Sequence, residues 1–377
     1  MRALRAVVAG AGPGGLSAAI ALAAAGIETI VFERAAKLAT SGSGLTLWPN
    51  ATCALDHLGR LDDLLACAAP IARMAMRTSR GDAIFEDEVE KPNGARHGAI
   101  GMLRKDLVEC LARPLVGSIA FGAEVTGFRE CADAVEVTLA GGKALRADLL
   151  VGADGIHSAV RAQLERDDPA RYAGYVVWRG IADGAFATDT GSIWMGPGRQ
   201  CGAFPVTGSC TYWFAACKAS RSEADGVLDW SDAKTSFAGW SHPVPRMIEA
   251  TPPESIVRTA IYDRAPLRRW SFGRVTLLGD AAHPAAPTLG QGACQAIEDS
   301  VLLGFALSGR DDVATALRRY ESRRIPRANA FVLDARRAGS LGLWQHPVTS
   351  WLRNTMMRMT PKAMRKRALG HMFEFTI

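Results

Sequence analysis

The chain has 377 residues, of which 48% are hydrophobic and 22% are charged, and its formal net charge is +6. This composition is ordinary for a folded protein of roughly two domains and argues against a disordered or fibrous chain. No apolar run approaches the roughly 18–20 residues that a membrane-spanning helix needs. The eight cysteines follow no metal-ligand spacing, so we expect reduced thiols, no bound metal and a cytoplasmic location.

The first 34 residues have the pattern of a β-α-β unit. Strands are predicted at Arg5–Ala9 and Ile27–Phe32, with a helix at Leu16–Ala25 between them. Positions 10–15 read G-A-G-P-G-G, a G-x-G-x-x-G motif that permits a tight turn and close approach of a pyrophosphate. The acid that ends the second strand suits a free ribose 2′-hydroxyl. The unit predicts a dinucleotide such as FAD or NAD, bound by Gly10, Gly12, Gly14, Gly15, Glu33 and Arg34.

The chain then leaves this unit and returns to it. Residues 41–44 read S-G-S-G, a flexible turn, and Asn50 or Thr52 starts a helix that runs to about Leu65. Short strands are predicted within 71–98. Where the chain returns to the nucleotide unit, Arg104 precedes an amphipathic helix, and its guanidinium could bind a phosphate. An arginine at a helix start is, however, often simply solvated.

Residues 118–150 predict three strands, with Gly141-Gly142 as a hairpin turn. The next strand leads into D-G-I-H-S-A-V-R at 154–161. Asp154 is predicted to cap a helix from Ile156, and the same carboxylate could also serve a cofactor.

Residues 168–268 are rich in strands and aromatic side chains. Alternation places Tyr212 and Phe214 on one face and Trp213 on the other, so only one set can line a pocket. Aromatic residues in strands are more often core, but we regard four as substrate candidates: Trp178, Phe204, Tyr212 and Phe214. An amphipathic helix is predicted at Trp230–Ile248 and a strand at Ile256–Tyr262.

The stretch from 274 to 299 carries the most specific pattern. A buried strand at Val275–Leu278 ends in Gly279-Asp280, and a loop with prolines and glycines leads into a helix predicted at Ala293–Leu307. The free amides and positive dipole of that helix start suit negative charge.

The C-terminal part is helical and basic. A helix broken at Pro326 is predicted for 313–338, and residues 341–377 carry a cluster of Lys and Arg that accounts for the net charge. The charge therefore does not indicate nucleic-acid binding. A basic amphipathic tail can lie on an anionic membrane but more often packs on its own domain, so membrane contact is not favoured and stays open.

Three motifs occur in an order that resembles one family. G-D-A-A-H-P-A-A-P-T-L-G-Q-G at 279–292 is similar to the second flavin motif of the single-component, class A FAD-dependent aromatic hydroxylases related to p-hydroxybenzoate hydroxylase. The resemblance implies an α/β fold, with a Rossmann-like FAD domain of the glutathione-reductase type and an inserted mixed β-sheet substrate domain. The FAD domain would comprise 1–70, 99–167 and 270–340. The substrate domain would comprise 71–98 and 168–269, followed by a C-terminal helical segment at 341–377.

The resemblance also implies site roles. Asp280 would bind the ribityl chain, Arg104 the pyrophosphate, Val125 the adenine through its backbone, and Asp154 would serve both nucleotides. The residues expected against the flavin are Ser43, Gly44, Pro287, Gly290, Gly292 and Ala293. His283 lies within the motif's turn, where a structural role is expected rather than that of a general base.

The implied reaction is a monooxygenation. NADH or NADPH would reduce FAD, and a flavin C4a-hydroperoxide would transfer one oxygen atom from O₂ to an aromatic or other electron-rich small molecule. No side chain is assigned to catalysis, because the flavin carries the chemistry. An epoxidase, a halogenase of the same fold and a non-catalytic flavin-binding protein are the alternatives. The protein would be a monomer or homodimer without a nucleic-acid partner.

Overall fold

The computed structural model describes residues 3–38, 43–91, 95–165, 169–226, 230–309 and 311–377. The strands are, in chain order, β1 Arg5–Ala9, β2 Glu28–Glu33, β3 Gly44–Leu47, β4 Ala69–Ile71, β5 Arg73–Thr78, β6 Ala83–Glu88, β7 Ala99–Leu103, β8 Ile119–Phe121, β9 Val125–Glu130, β10 Val135–Leu139, β11 Ala144–Ala147, β12 Leu149–Gly152, β13 Arg171–Asp183, β14 Thr190–Gly196, β15 Arg199–Pro205, β16 Cys210–Lys218, β17 Val257–Asp263, β18 Ser271–Phe272 and β19 Val275–Leu277.

The α-helices are α1 Pro13–Ala24, α2 Pro49–His57, α3 Leu61–Leu65, α4 Arg104–Ala112, α5 Ala159–Leu164, α6 Arg221–Asp225, α7 Trp230–Phe237, α8 Val244–Glu249, α9 Gly292–Leu307, α10 Val313–Gly342, α11 Pro347–Met359 and α12 Lys362–Phe373. Within the described residues, no helix is both long enough and apolar enough to cross a bilayer.

A six-stranded sheet holds the nucleotide motifs. Its order is β18-β19-β12-β1-β2-β8, and all its pairings are parallel except that of β18 with β19. The inner strands are short apolar runs because helices or loops cover both faces, as is typical of parallel sheets. Val8 pairs with Val151 and Gly152 with Leu277, so the motifs after β1, β12 and β19 meet at one edge.

Small residues bring α9 close to the glycine-rich helix α1. A Cβ atom at Gly304 would lie 2.8 Å from the Ala21 side chain, and one at Gly14 would lie 3.0 Å from that of Ala296. The Ser300 hydroxyl donates to the Gly14 carbonyl at 3.0 Å. These contacts place the start of α9 beside the G-x-G-x-x-G turn.

A seven-stranded sheet, in the order β17-β13-β16-β15-β14-β5-β6, forms the second layer. In its centre Arg179 pairs with Phe214 and Ile181 with Tyr212, so these four side chains share a face. The other face carries Trp178 and Trp213, which pack with Phe237 under α7 and α8. The predicted separation of Tyr212 and Phe214 from Trp213 is confirmed.

Four helix predictions are corrected by the structure. Instead of one helix at Trp230–Ile248, α7 and α8 are separate, because the prolines at 243 and 245 lack amide donors for a continuing helix. The helix expected to run to Leu65 divides into α2 and α3 at Gly59, which has a φ of 63°.

The helix predicted from Ile156 begins at Ala159, because Ser158 is its N-cap and accepts from the Arg161 amide at 2.9 Å. The break predicted at Pro326 does not occur: α10 continues through it. Tyr320 and Ala328 are buried on either side of the proline, and their packing offsets the lost hydrogen bond.

Candidate functional site

The glycine-rich turn is shaped by two glycines and left open by a third. Gly10 has a φ of 101°, and a Cβ atom there would lie 2.5 Å from the Ala153 carbonyl oxygen. A Cβ atom at Gly15 would lie 2.0 Å from the Gly10 carbonyl oxygen. The Cβ position of Gly12 has no atom within 4 Å. The turn therefore leaves the first amides of α1 open to an anionic group, as predicted from the motif.

Glu33 ends β2 beside this turn. Its Oε2 accepts from the Ala11 amide at 2.8 Å and its Oε1 from the Ala35 amide at 2.9 Å. These bonds fix the carboxylate, and each oxygen keeps a further lone pair for a hydroxyl donor. Arg34 points elsewhere: its side chain is 70% exposed, with Nη1 4.0 Å from Glu124. Val125 is a buried residue at the start of β9.

A cavity of about 700 Å³ extends from the glycine turn to the face of the seven-stranded sheet. Most of the residues assigned to the flavin line it, namely Gly12, Gly14, Ser43, Gly44, Arg104, Asp280, Pro287, Gly290, Gly292 and Ala293. Glu33, Arg34, Val125 and Asp154 are not among its lining residues. The cavity thus joins segments that are up to 284 positions apart in the chain, from Gly12 to Ala296.

Two charged side chains face this cavity, and neither has a hydrogen-bond or ion-pair partner among the residues that the structure describes. Asp280 lies deep in the molecule, yet its side chain is exposed to the cavity and forms no hydrogen bond among the described residues. Burial raises the pKa of Asp280, while His283 and Arg104 act to lower it. The guanidinium of Arg104 also forms no ion pair within the described part of the chain. The Asp280 carboxylate can therefore accept hydrogen bonds from hydroxyl groups of a ligand, and the Arg104 guanidinium can donate to its anionic groups.

Asp154 lies behind the glycine turn. Its Oδ2 accepts from the Ala159 amide at 2.7 Å and from the Val160 amide at 3.4 Å, so it caps the start of α5. Burial raises the pKa of Asp154, and these hydrogen bonds act to lower it. Its buried Oδ1 has no hydrogen-bond partner among the described residues, which leaves one acceptor unused.

The loop before α9 forms the cavity wall opposite β3. A single 3₁₀ turn spans Pro287–Leu289, and Gly290 follows with a φ of 63°. A Cβ atom at Gly290 would lie 3.1 Å from Thr46 Oγ1 and 3.2 Å from Trp48 Nε1, so glycine is needed both for the turn and for the close approach. The helix start and its free amides face the cavity at Gly292 and Ala293.

The far end of the cavity is apolar and aromatic. Phe204, Tyr212 and Phe214, three of the four substrate candidates, line it. The fourth, Trp178, does not, because its side chain is buried on the opposite face of the sheet. Sequence reasoning missed Met74, Arg179, Ile193, Val257 and Thr259, because only the strand register brings them to this face.

Arg179 is the charged residue at this end. Its Nη1 donates to Thr259 Oγ1 at 3.1 Å, and Tyr212 lies on the same face of the sheet near its guanidinium. Burial raises the pKa of Tyr212, and Arg179 partly opposes that shift. Among the described residues no carboxylate lies within ion-pair distance of Arg179. This end of the cavity thus carries one guanidinium, the Thr259 hydroxyl and one neutral phenol among apolar side chains.

A buried polar network supports the cavity wall from behind. Arg324 bonds Asp299 at 2.5 Å and Glu298 at 2.6 Å, and Glu298 also bonds Asn50 at 2.5 Å. Arg327 joins Glu298 at 2.8 Å. The network ties α2, α9 and α10 together. The adjacent acids at 298 and 299, in a helix whose other residues are mostly apolar, were the available sequence signal for it.

The described residues contain no cluster of three or more His, Cys, Asp or Glu side chains that could hold a metal ion. The groups that converge on the cavity are instead backbone amides, a carboxylate, two guanidinium groups and aromatic rings.

Comparisons with known proteins give concordant results. A family model described as "FAD binding domain" matches residues 3–335. The chain is 40% identical over 365 residues to aurachin C monooxygenase/isomerase of Stigmatella aurantiaca, a match that covers 94% of both chains. It is 36% identical over 346 residues to the FAD-dependent urate hydroxylase of Klebsiella pneumoniae subsp. pneumoniae, with 89% of both chains covered. The structure of Klebsiella pneumoniae HpxO with FAD and uric acid matches with a TM-score of 0.88 at 31% identity, over 97% of this chain and 95% of that one.

Proposed function

Because this chain belongs to the FAD binding domain family, we propose that it hydroxylates a flat aromatic substrate whose acidic or carbonyl oxygen is bound by Arg179. The protein is an FAD-dependent monooxygenase that inserts one oxygen atom from O₂ into a small aromatic molecule. NADH or NADPH is the usual electron donor of this class. The substrate class and the roles of individual residues are the new parts of the proposal.

The cavity fits FAD on the chemistry of its lining. The open Gly12 turn and the Arg104 guanidinium suit a pyrophosphate, and the unpartnered Asp280 carboxylate suits the hydroxyls of a ribityl chain. Glu33, fixed by two amides, suits the adenosine ribose. When bound, FAD supplies electron transfer and oxygen activation, and the protein supplies orientation and electrostatics. The free amides at the start of α9 would stabilise negative charge on a cofactor bound in this cavity.

Arg179 is the main reason for naming a substrate class. Arg179 is half-buried among apolar side chains, where an anionic or strongly accepting partner stabilises a guanidinium. The Thr259 hydroxyl is neutral and satisfies only part of its donor capacity. A phenolate, a carboxylate or a ring carbonyl would complete it. Phe204 and Phe214, with ring centroids 6.3 Å apart and planes at 22°, offer flat surfaces to an aromatic ring.

Two further parts of the proposal concern organisation. The six-stranded and seven-stranded sheets support a division into an FAD domain (1–70, 99–167 and 270–340) and a substrate domain (71–98 and 168–269). All eight cysteines are free, which supports a reducing compartment such as the cytoplasm.

The experiment supplies FAD-loaded protein with NADH or NADPH under ¹⁸O₂ and a panel of aromatic compounds in matched pairs. One member of each pair has a free hydroxyl or carbonyl oxygen, and the other has it masked as a methyl ether or removed. We expect a product that carries one ¹⁸O atom, formed from the free member of at least one pair. If the free and masked members of every pair were hydroxylated equally well, the proposed substrate class would be contradicted. Nucleotide oxidation that never yields a labelled product would contradict oxygen insertion itself.

A further inference from the structure

Helix α11 is oriented with its apolar side toward solvent. At about 3.6 residues per turn, five large apolar residues fall on one side of it. We call this side the outer face; it consists of Val348 (62% exposed), Trp351 (65%), Leu352 (44%), Met356 (60%) and Met359 (76%). Among the described residues, the large apolar side chains that are at least 60% exposed all lie within 348–364, apart from Val116. The outer face is therefore a concentrated feature rather than scattered surface hydrophobicity.

Polar groups hold the opposite side of α11 against the protein. Arg353 is 5% exposed, and its Nη1 donates to the Gly342 carbonyl at 2.7 Å and to the Leu341 carbonyl at 3.3 Å. The Ser350 hydroxyl donates to the Trp344 carbonyl at 2.8 Å. The last carbonyls of α10 thus fix the rotation of α11. An amphipathic helix that buries its polar side and exposes its apolar side has a surface that needs a partner.

Cations border the outer face. Arg365 binds Asp87 at 2.7 Å and Lys366 pairs with Glu90, so two basic residues of α12 hold that helix on β6 and the segment after it. Arg358 lies within α11 and donates to the Ala83 carbonyl at 3.1 Å. Lys362 and Arg367 follow in α12, and none of these three cations forms an ion pair with a carboxylate in the described parts of the chain. Arg365 and, to a smaller extent, Lys362 lower the pKa of Asp87, so the positive charge beside the apolar side chains is only partly offset within the protein.

Exposed apolar side chains with cations beside them distinguish between two possible partners of the outer face, a second copy of the chain and a lipid surface. A second copy of the chain, joined by a two-fold axis, would place the cations of both copies at one interface, where their mutual repulsion weakens association. An anionic lipid surface instead accepts apolar side chains into its interface and attracts Lys and Arg beside them. We propose that the outer face of α11, with Arg358, Lys362 and Arg367, docks this enzyme on anionic lipid bilayers as a peripheral protein. This inference does not depend on the substrate class proposed above.

The test is sedimentation of FAD-loaded protein with lipid vesicles. We expect binding to vesicles that contain phosphatidylglycerol, little binding to pure phosphatidylcholine, and loss of binding at high salt. The triple variant Trp351→Ser/Met356→Ser/Met359→Ser and the charge variant Lys362→Gln/Arg367→Gln should each bind about tenfold more weakly or less. A matched control, Val116→Ser/Phe305→Ser, removes exposed apolar side chains elsewhere and should bind as the unsubstituted protein does.

Two results would overturn the proposal, and the first does not depend on a variant folding. One is that the unsubstituted protein sediments with none of the vesicles. The other is that analytical ultracentrifugation finds a dimer that the triple variant converts to a monomer, which would assign the outer face to a second copy. The FAD absorbance spectrum of each variant reports whether it has folded.

Discussion

His283 Nε2 lies 2.6 Å from Asp299 Oδ2 in the interior of the protein, where both side chains are buried. The same Oδ2 accepts from the Gly279 amide at 2.9 Å. Asp299 therefore fixes both ends of the turn that carries Asp280, and Arg324 holds Asp299 from α10. His283 is one of the groups that hold the turn, which supports a structural role for it rather than that of a general base acting on substrate.

We expect this pair to govern stability in acid. Burial acts to raise the pKa of Asp299, but His283 and Arg324 outweigh it and lower the pKa to about 2. A carboxylate with a lowered folded-state pKa contributes stability above its unfolded pKa of about 3.9, and this stability is lost as the pH falls toward about 2. The contribution is about 2 kcal/mol. Urea unfolding at saturating FAD, measured from pH 6 down to about 2, should show the loss in this window.

Asp299→Asn should remove this pH dependence and destabilise the protein at neutral pH by about 3–5 kcal/mol, because Arg324 loses a buried partner. Asp133→Asn, which changes an exposed carboxylate, is the control and should change stability by less than about 1 kcal/mol. An unchanged slope of stability against pH in Asp299→Asn would show that other groups carry the acid sensitivity.

Gly12 and Gly15 allow cofactor binding to be separated from folding. An alanine at Gly12 has open space and an ordinary φ of −74°, so Gly12→Ala should cost the fold no more than about 1 kcal/mol. Its methyl group would occupy the space needed by a pyrophosphate, so FAD affinity should fall about tenfold or more. Gly15→Ala should destabilise the protein itself by about 3 kcal/mol or more, because its Cβ would collide with Gly10. Flavin fluorescence titration measures the FAD affinity, and thermal unfolding measures the stability of each variant. If Gly12→Ala and the unsubstituted protein bind FAD with equal affinity, this turn is not the pyrophosphate site.

The cavity carboxylate should make FAD binding depend on pH. Burial raises the pKa of Asp280, so it protonates at a higher pH than an ordinary aspartate. The ionised form is the better hydroxyl acceptor, and FAD affinity should therefore weaken as the pH falls through that raised pKa. Asp280→Asn should lower affinity about tenfold at neutral pH and abolish this pH dependence. Titrations in which both proteins weaken in parallel would exclude Asp280 as the titrating group.

The sequence predicted the fold where the pattern is local. The β-α-β unit with its glycines, and the strand-loop-helix at 275–307, each lie within one short segment, and the structure has both. Arg179 and the Arg324 network were not predicted, because their environment depends on pairing and packing between distant segments. The outer face of α11 shows a different limit. Helical periodicity reveals two unlike sides but not which one faces the protein.

The last prediction concerns substrate recognition. Arg179→Gln should raise the KM for a substrate with an acidic or carbonyl oxygen about tenfold or more, because a charge-assisted hydrogen bond is lost. Turnover of the masked analogue should change little. Tyr212→Phe should have a smaller effect of about two- to fivefold, since it removes a neutral hydroxyl from the same end of the cavity. Arg318→Gln changes an exposed arginine of α10 and is the matched control. Steady-state kinetics on the free and masked members of one pair provide the measurement. If Arg179→Gln lowered kcat/KM equally for the free and the masked member, Arg179 would support the sheet rather than bind the substrate oxygen.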